Sequence, residues 1–461
     1  MEEEHDAEAE QPINNDGDEF VENESNDDGP TNDDANPSHS HGKWLWLHAA
    51  FHCLVTMVGT GVLGFPYASS WMGFGGAAVL ITAAASAAYY TASLLTEVQE
   101  PAHKTYMDIG KALGGNGWQI LSFQLFFFFP TSAVMVLLGG QALETIDLMS
   151  QGATVTYLGG DCGAYTVDMT AAKLSTHAWT IIMGVLVLLL SMTKDMSSMW
   201  QISAVGTLSV FVIVFYCIVG SSIALAENTS TPQYNAKECL NADGSFAADL
   251  LTAFGSIIFG YGFHAVLPDI QTSLKTESNN VHKDMKKAIT GAFSIAFPAY
   301  LVIGLLGFAA YGVSVASDVL ISMTLVLSEA AMYVVWVFVI IKTATEAAVY
   351  NQSAFIICRD TLGITKRSYD IAFRVAWVVV ATLVAMYIPF FGDLTAITGA
   401  LSVTPLSFVY PVFFWNKKHK HDAPKWRIRF HYVFIAVWTT LGAVALAGAI
   451  WSLIIHLSSE Q

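Results

Sequence analysis

The sequence predicts an all-α polytopic membrane protein of eleven transmembrane helices, two of them interrupted at mid-span. Three observations carry that prediction. Hydrophobic residues make up 54% of the 461-residue chain and charged residues only 13%, about half the charged share of a soluble domain; mean hydropathy is +0.48. Apolar runs of the length a bilayer demands, roughly twenty residues, recur along the chain. Two of them, in separate halves, carry a Gly-x-Gly followed by a proline: Gly59-Thr60-Gly61-Val62-Leu63-Gly64-Phe65-Pro66, and Gly260-Tyr261-Gly262-Phe263-His264-Ala265-Val266-Leu267-Pro268.

The chain opens with an acidic tail, residues 1–42. The formal charge is −17, yet residues 1–40 hold fifteen Asp or Glu and no Lys or Arg, so acidity belongs to the tail and not to the membrane body. Rich in Asn, Asp, Glu, Gly and Pro, the tail cannot bury a core and is expected to be disordered. A plain solvated leader and a segment read by a cytosolic partner both stay open. No apolar run precedes Lys43, so no cleavable signal peptide is expected and the first span starts insertion itself.

Spans follow near 45–72, 74–98, 117–146, 178–193, 198–226, 247–271, 288–313, 318–345, 371–390, 393–415 and 431–457. With the amino terminus inside, the cytoplasmic connections hold Lys104, Lys111, Lys194, Lys275, Lys283, Lys286, Lys287, Arg359, Lys366, Arg367 and the run from Lys417 to Arg429, against Lys173 and Lys237 outside. That bias is the positive-inside pattern. It leaves residues 458–461 as a short external or lumenal tail. The two long external loops, near 147–177 and 227–246, carry Cys162 and Cys239; a disulfide between them and two free thiols both stay open. Asn228-Thr229-Ser230 is a glycosylation sequon on the same side, while the sequons at Asn23 and Asn351 fall in the cytosol.

Interrupted helices in lipid need a reason, because unpaired backbone is tolerated there only when buried in protein or lining a cavity. Paired Gly/Pro interruptions in two halves point to a substrate site at the membrane midplane. The half-helix ending near Val58 offers unpaired carbonyls, and the one beginning near Val62 offers unpaired N–H groups. The first suits an ammonium or a cation and the second a carboxylate, which makes zwitterions a natural cargo. Residues 59–64 also spell G-x-G-x-x-G, but no strand precedes them and no ribose-binding acid follows, so a dinucleotide site is set aside.

Three motifs resemble a known family. Met57–Ala68 (MVGTGVLGFPYA), Phe259–Gln271 (FGYGFHAVLPDIQ) and Ile388–Pro411 (IPFFGDLTAITGALSVTPLSFVYP) are similar to the helix 1, helix 6 and helix 9–10 signatures of the amino acid/auxin permease family. The resemblance spans about 43–457. It implies a LeuT-like five-plus-five inverted repeat (about 45–226 and 247–415) plus an eleventh helix (431–457), and secondary transport of amino acids, usually driven by protons and sometimes by sodium. It also implies substrate-binding roles for Gly59, Thr60 and Gly61 at the first interruption and for Gly260, Tyr261 and Phe263 at the second.

Ionisable groups inside spans are coupling candidates by default. His264 sits beside the second interruption, as a proton carrier or a structural histidine. Lys342 and Glu346 lie one helical turn apart: either Lys342 snorkels at the cytoplasmic end and pairs with Glu346, or it supplies the charge that sodium provides between helices 1 and 8 in sodium-coupled relatives. Asp269 and Asp393 read as helix caps, Glu97 as a water-facing helix end, and His48 with His52 as one face of the first half-helix. Among Phe126–Phe129, most side chains are expected to face lipid or core, and a place for one or two over the cargo stays open.

The function expected from these residues is proton-coupled amino acid symport by alternating access, with H⁺ favoured over Na⁺ and no organic cofactor, metal or nucleic acid. No nucleotide loop, metal cluster or nucleophile elbow points to an enzyme. Sodium coupling, vacuolar or vesicular transport, carriage of auxin or related organic acids, and a non-transporting amino acid sensor are the alternatives. Plasma membrane and vacuolar or other endomembrane both fit.

Overall fold

In the computed structural model the described residues are 45–152, 155–158, 164–167, 174–193, 199–227, 234, 246–275, 278–388 and 391–459. The acidic tail, Cys162, Cys239 and Asn228 lie outside them, and with them the disulfide and sequon expectations.

Helix α1 (Leu45–Met57) ends where Val58 donates the last ladder bond to Leu54 O at 2.8 Å. Gly59 is then extended (φ −78°, ψ −173°), and a 3₁₀ turn, Thr60–Gly64, leads into α2 (Phe65–Val98). Pro66 falls in the first turn of α2, where its missing N–H leaves no bond unmade. Inside α2, Gly73 takes φ 69°, ψ 169° and kinks the run into two helices; only glycine adopts that backbone without strain. The short α3 (Tyr106–Ala112) is fixed by a Thr105/Asp108 capping box, and Asn116 caps α4 (Gly117–Ser150). A two-stranded antiparallel hairpin follows, β1 (Val155–Leu158) with β2 (Ala164–Val167), in the register Val155↔Val167. It adds a small sheet to a chain expected to be wholly helical.

Next come α5 (Thr176–Leu190), α6 (Trp200–Glu227) and α7 (Phe246–Phe259). A second 3₁₀ turn, Gly262–Ala265, separates α7 from α8 (Leu267–Lys275). Helices α9 (Val281–Tyr311), α10 (Val319–Met323), α11 (Glu329–Leu362) and α12 (Arg367–Tyr387) follow. A last apolar run joins α13 (Phe391–Thr398), a π-helical stretch Gly399–Val409 containing Pro405, and α14 (Tyr410–Lys418); α15 (Lys425–Ser459) ends the described chain.

Among the described residues, eight helical runs are long and apolar enough to cross a membrane, and Thr176–Leu190 and Phe246–Phe259 are shorter apolar helices. Their burial sorts them. Two thirds of the apolar window (67%) is buried in α4, in α11 and in the run from Phe391 to Lys418, against 28% in α12 and α15. The first three therefore form the middle of the bundle. The last two turn most of their surface outward, with Val379, Leu383, Tyr432 and Ile454 exposed, as a lipid-facing helix requires. Pairwise, α2 packs on α9, α4 on α11, α5 on α12, and α7 on α15.

One boundary differs in a way that matters. The run expected at 318–345 is two elements, α10 and then α11, which Ser328 caps (its Oγ accepts from Ala331 N at 3.4 Å) and which runs on to Leu362. Lys342 and Glu346 therefore sit in the buried middle of α11, 3% and 1% exposed, and the snorkelling arrangement does not occur. Asn351 is buried on the same helix, bonded to Ser191 Oγ at 3.2 Å and to Trp377 Nε1 at 3.1 Å, which removes its sequon from any surface.

Candidate functional site

The site is built on the C-terminal end of α1. A helix leaves its last four carbonyls without intrahelical partners, and buried carbonyls must be answered. Leu54 O takes the Val58 N–H. Val55 O accepts from Lys342 Nζ at 2.9 Å, Thr56 O from Tyr350 Oη at 2.6 Å, and Met57 O from Tyr300 Oη. Lys342 and Tyr350 come from α11 and Tyr300 from α9, so two neighbouring helices place a donor at each of these three carbonyls. The Tyr300 hydroxyl also lies 2.8 Å from Gly260 O at the second interruption. With one proton it answers one of its two carbonyls at a time.

Lys342 makes a second bond, to Glu346 Oε2 at 2.7 Å. The Glu346 carboxylate in turn lies against Gly59, so closely that a Cβ at this position would overlap its oxygen. Gly59, the N-cap of the Thr60–Gly64 turn, has no side chain to cap it. Gly61 and Gly260 bring the interruptions together: a Cβ on Gly61 would come 3.3 Å from Gly260 Cα. Gly262 faces Phe127 of α4 and Val403 of the π-helical stretch, and the Phe127 ring stands edge-on to Tyr350 at 5.2 Å. A cavity of about 10 Å³, room for a single water, lies between α1, α6 and α11, bordered by Gly59, Val62, Val210 and Lys342. The crossing is closed.

The expected site residues separate into two groups. Gly59, Gly61 and Gly260 meet at the crossing, with Lys342 beside them; the backbone of Thr60 belongs to the same turn. Tyr261 and Phe263 contribute backbone there; the Tyr261 ring stands edge-on to Tyr300 at 5.1 Å, while the Phe263 side chain turns to α9. The Tyr261 hydroxyl donates to Ile81 O of α2 at 3.1 Å, and Phe263 packs on Phe293 of α9. His264 is directed at α2, with Nε2 3.0 Å from Thr91 Oγ1 and 3.1 Å from Ala88 O. His52 bonds Ser203 Oγ at 2.7 Å and His48 stacks on Trp200, so that pair holds α6. Asp269 and Asp393 fall in first helical turns, where the helix dipole favours a carboxylate. Glu97 is half exposed and pairs with His419. Of the four phenylalanines, Phe127 and Phe128 are buried, Phe126 is 56% exposed and Phe129 packs on Trp377.

Sequence reasoning missed Tyr300 and Tyr350. A signal existed: a tyrosine deep in an apolar span must find an acceptor for its hydroxyl, and freed carbonyls are such acceptors. Sequence does not say which tyrosine meets which carbonyl.

The arrangement is a helical membrane fold of the LeuT-like kind. Among solved structures the chain is similar to MhsT in complex with L-phenylalanine (TM-score 0.57, 10% identity, 88% of this chain and 98% of that one). It is also similar to a manganese transporter of Eremococcus coleocola (TM-score 0.53, 13% identity, 89% and 88%). Residues 42–455 match the family described as transmembrane amino acid transporter protein, and the chain belongs to that family, the amino acid/auxin permeases. Relatives in Arabidopsis thaliana include GABA transporter 1, 23% identical over 91% of this chain and 93% of the relative, and lysine histidine transporter-like 3, 25% identical over 85% and 86%. It is an integral membrane protein of an amino acid transporter family.

Proposed function

We propose that the protein is a proton-coupled amino acid symporter that works by alternating access. In this reading it has eleven spans arranged as a five-plus-five inverted repeat with α15 appended, helices 1 and 6 broken, and the amino terminus in the cytosol. Support for the repeat comes from the packing of second span on seventh, third on eighth and fourth on ninth (α2 on α9, α4 on α11, α5 on α12), since symmetry-related elements meet across a pseudo-twofold axis. The kink at Gly73 divides the first span from the second.

The observation that carries the coupling is the Lys342 ammonium on Val55 O. It places a fixed positive charge at the carbonyl end of the first interruption, where a coupling cation would otherwise bind, and so favours protons over sodium. Cargo lies between Gly59–Gly61 and Gly260–Gly262, walled by Phe127, Tyr350 and Val403. Its carboxylate meets the N–H end of the Thr60–Gly64 turn. Its ammonium, with three donors, replaces the Tyr300 hydroxyl and answers Met57 O and Gly260 O at once. Tyr261 and Phe263 act through backbone, and His264 holds the second interruption to α2. The interruptions touch in the closed crossing, so they separate to admit cargo.

One proton falling through 100 mV releases about 2.3 kcal/mol, enough for about fifty-fold accumulation. The test is uptake of labelled amino acids by proteoliposomes under imposed proton or sodium gradients. Accumulation driven by an inward proton gradient without sodium is expected. Accumulation of none of them, or a strict sodium requirement, contradicts the reading.

A further inference from the structure

We propose that Glu346 is the proton-binding site, a carboxylate built into α11 whose charge is sensed by the backbone of the first interruption. The proposal deepens the proton-coupled reading above and rests on it. Glu346 is buried between two features with opposite demands: Lys342 Nζ at 2.7 Å from Oε2, and Gly59, the N-cap of the Thr60–Gly64 turn, against its carboxylate. Lys342 also donates to Val55 O. A proton arriving on Glu346 therefore does not set the ammonium adrift; Lys342 keeps its carbonyl. The pair passes from net zero to net positive beside the first backbone N–H groups of the Thr60–Gly64 turn.

That change strengthens the pull of this end on an anionic group. Protonated Glu346 attracts the cargo carboxylate, and a bound carboxylate holds the proton on Glu346, because the two effects are one coupling free energy seen from each side. Symport needs this mutual dependence. The only bond made or broken is the O–H of the carboxyl, with the proton taken from water on one side and returned to water on the other. A small, mostly apolar cavity borders Gly59 and Lys342 beside the pair.

The surroundings leave this role to Glu346. Tyr350 on its own helix and Tyr300 from α9 commit their hydroxyls to carbonyls of α1 and to Gly260 O. Toward the cavity, α1 and α6 present Val58, Val62, Val210 and Ile213, and α4 turns Phe127 and Phe128 to Tyr350. On α1, His52 faces Ser203 and His48 stacks on Trp200, while Cys53 is a buried thiol. His264 faces α2.

The test uses the full chain in liposomes, with labelled cargo and a lumenal pH dye that gives protons carried per cargo molecule. Wild type is expected to acidify the lumen during uptake, with the rate at limiting cargo rising up to about tenfold per unit fall of external pH above the midpoint. Glu346→Gln, combined with Lys342→Met so that no charge is buried alone, is expected to lose both signals: protons per cargo fall to the leak and the pH profile flattens. Glu346→Asp is expected to keep proton movement with a displaced midpoint. A double variant carrying as many protons per cargo as wild type overturns the proposal. Where the double variant yields no folded or transporting protein, an Asp variant with an undisplaced midpoint overturns it. A wild type that accumulates cargo without moving protons contradicts the proton-coupled reading itself, a distinct failure.

Discussion

The two interruptions share a glycine motif and do different chemistry. At the first, three carbonyls in succession are answered by side chains from other helices, one of them a lysine tied to a buried carboxylate. At the second, the contacts run to the scaffold: Tyr261 to Ile81 O, His264 to Thr91 and Ala88 O on α2, and Gln124 Nε2 of α4 to Ala265 O at 3.2 Å. One interruption lies against a buried charged pair; the other is anchored to neighbouring helices. Backbone geometry alone does not decide which a broken helix becomes. The groups placed opposite it do.

The contrast can be broken most sharply at Lys342. Lys342→Met leaves Glu346 buried without its cation and Val55 O unanswered, at a cost of about 3–5 kcal/mol; thermal unfolding in detergent should show the largest loss among single changes here. Adding Glu346→Gln should recover part of that stability. A smaller but still large effect is expected at Gly260, where a Cβ would meet the Phe65 ring at 2.7 Å. Gly260→Ala should lower stability by about 1–3 kcal/mol, the cost of overpacking by a methyl, and reduce uptake with it. Gly75→Ala, with nothing within 4 Å of its Cβ position, should leave uptake near wild type.

The finest distinction lies between two tyrosines. Tyr261→Phe removes one bond to α2 and should cost about 1 kcal/mol in unfolding, with the pH profile of uptake unmoved. Tyr300→Phe removes the one donor that Met57 O and Gly260 O share. It should change the cargo concentration at half-maximal uptake as well as stability. Equal behaviour of the two variants would erase the division between an interruption beside a charged pair and an anchored one.

Much of this architecture was legible in the sequence. The glycines and prolines that end α1 and separate α7 from α8 are local signals, because a positive φ, an extended glycine or a missing N–H acts within a few residues. Gly73, a plain boundary by hydropathy, is the φ 69° kink between two helices. Two things were not legible. Hydropathy joined 318–345 into one span, where the structure has α10 (Val319–Met323) and then α11 from Glu329 to Leu362; the depth of Lys342 and Glu346 was lost with that boundary. Nor does periodicity show which face of α4 turns inward when four phenylalanines follow one another. The partners Tyr300 and Tyr350 lie hundreds of positions from the carbonyls they answer, and only the fold brings them there.

The central claim is that a proton, bound at the first interruption, moves with the cargo. Reversal potentials of the reconstituted protein test it most directly, with a zwitterionic amino acid as cargo and the pH gradient varied at fixed sodium. One proton per cargo predicts a shift of about 59 mV per pH unit and none when sodium is replaced. A reversal potential that ignores pH, or follows sodium, would contradict the account.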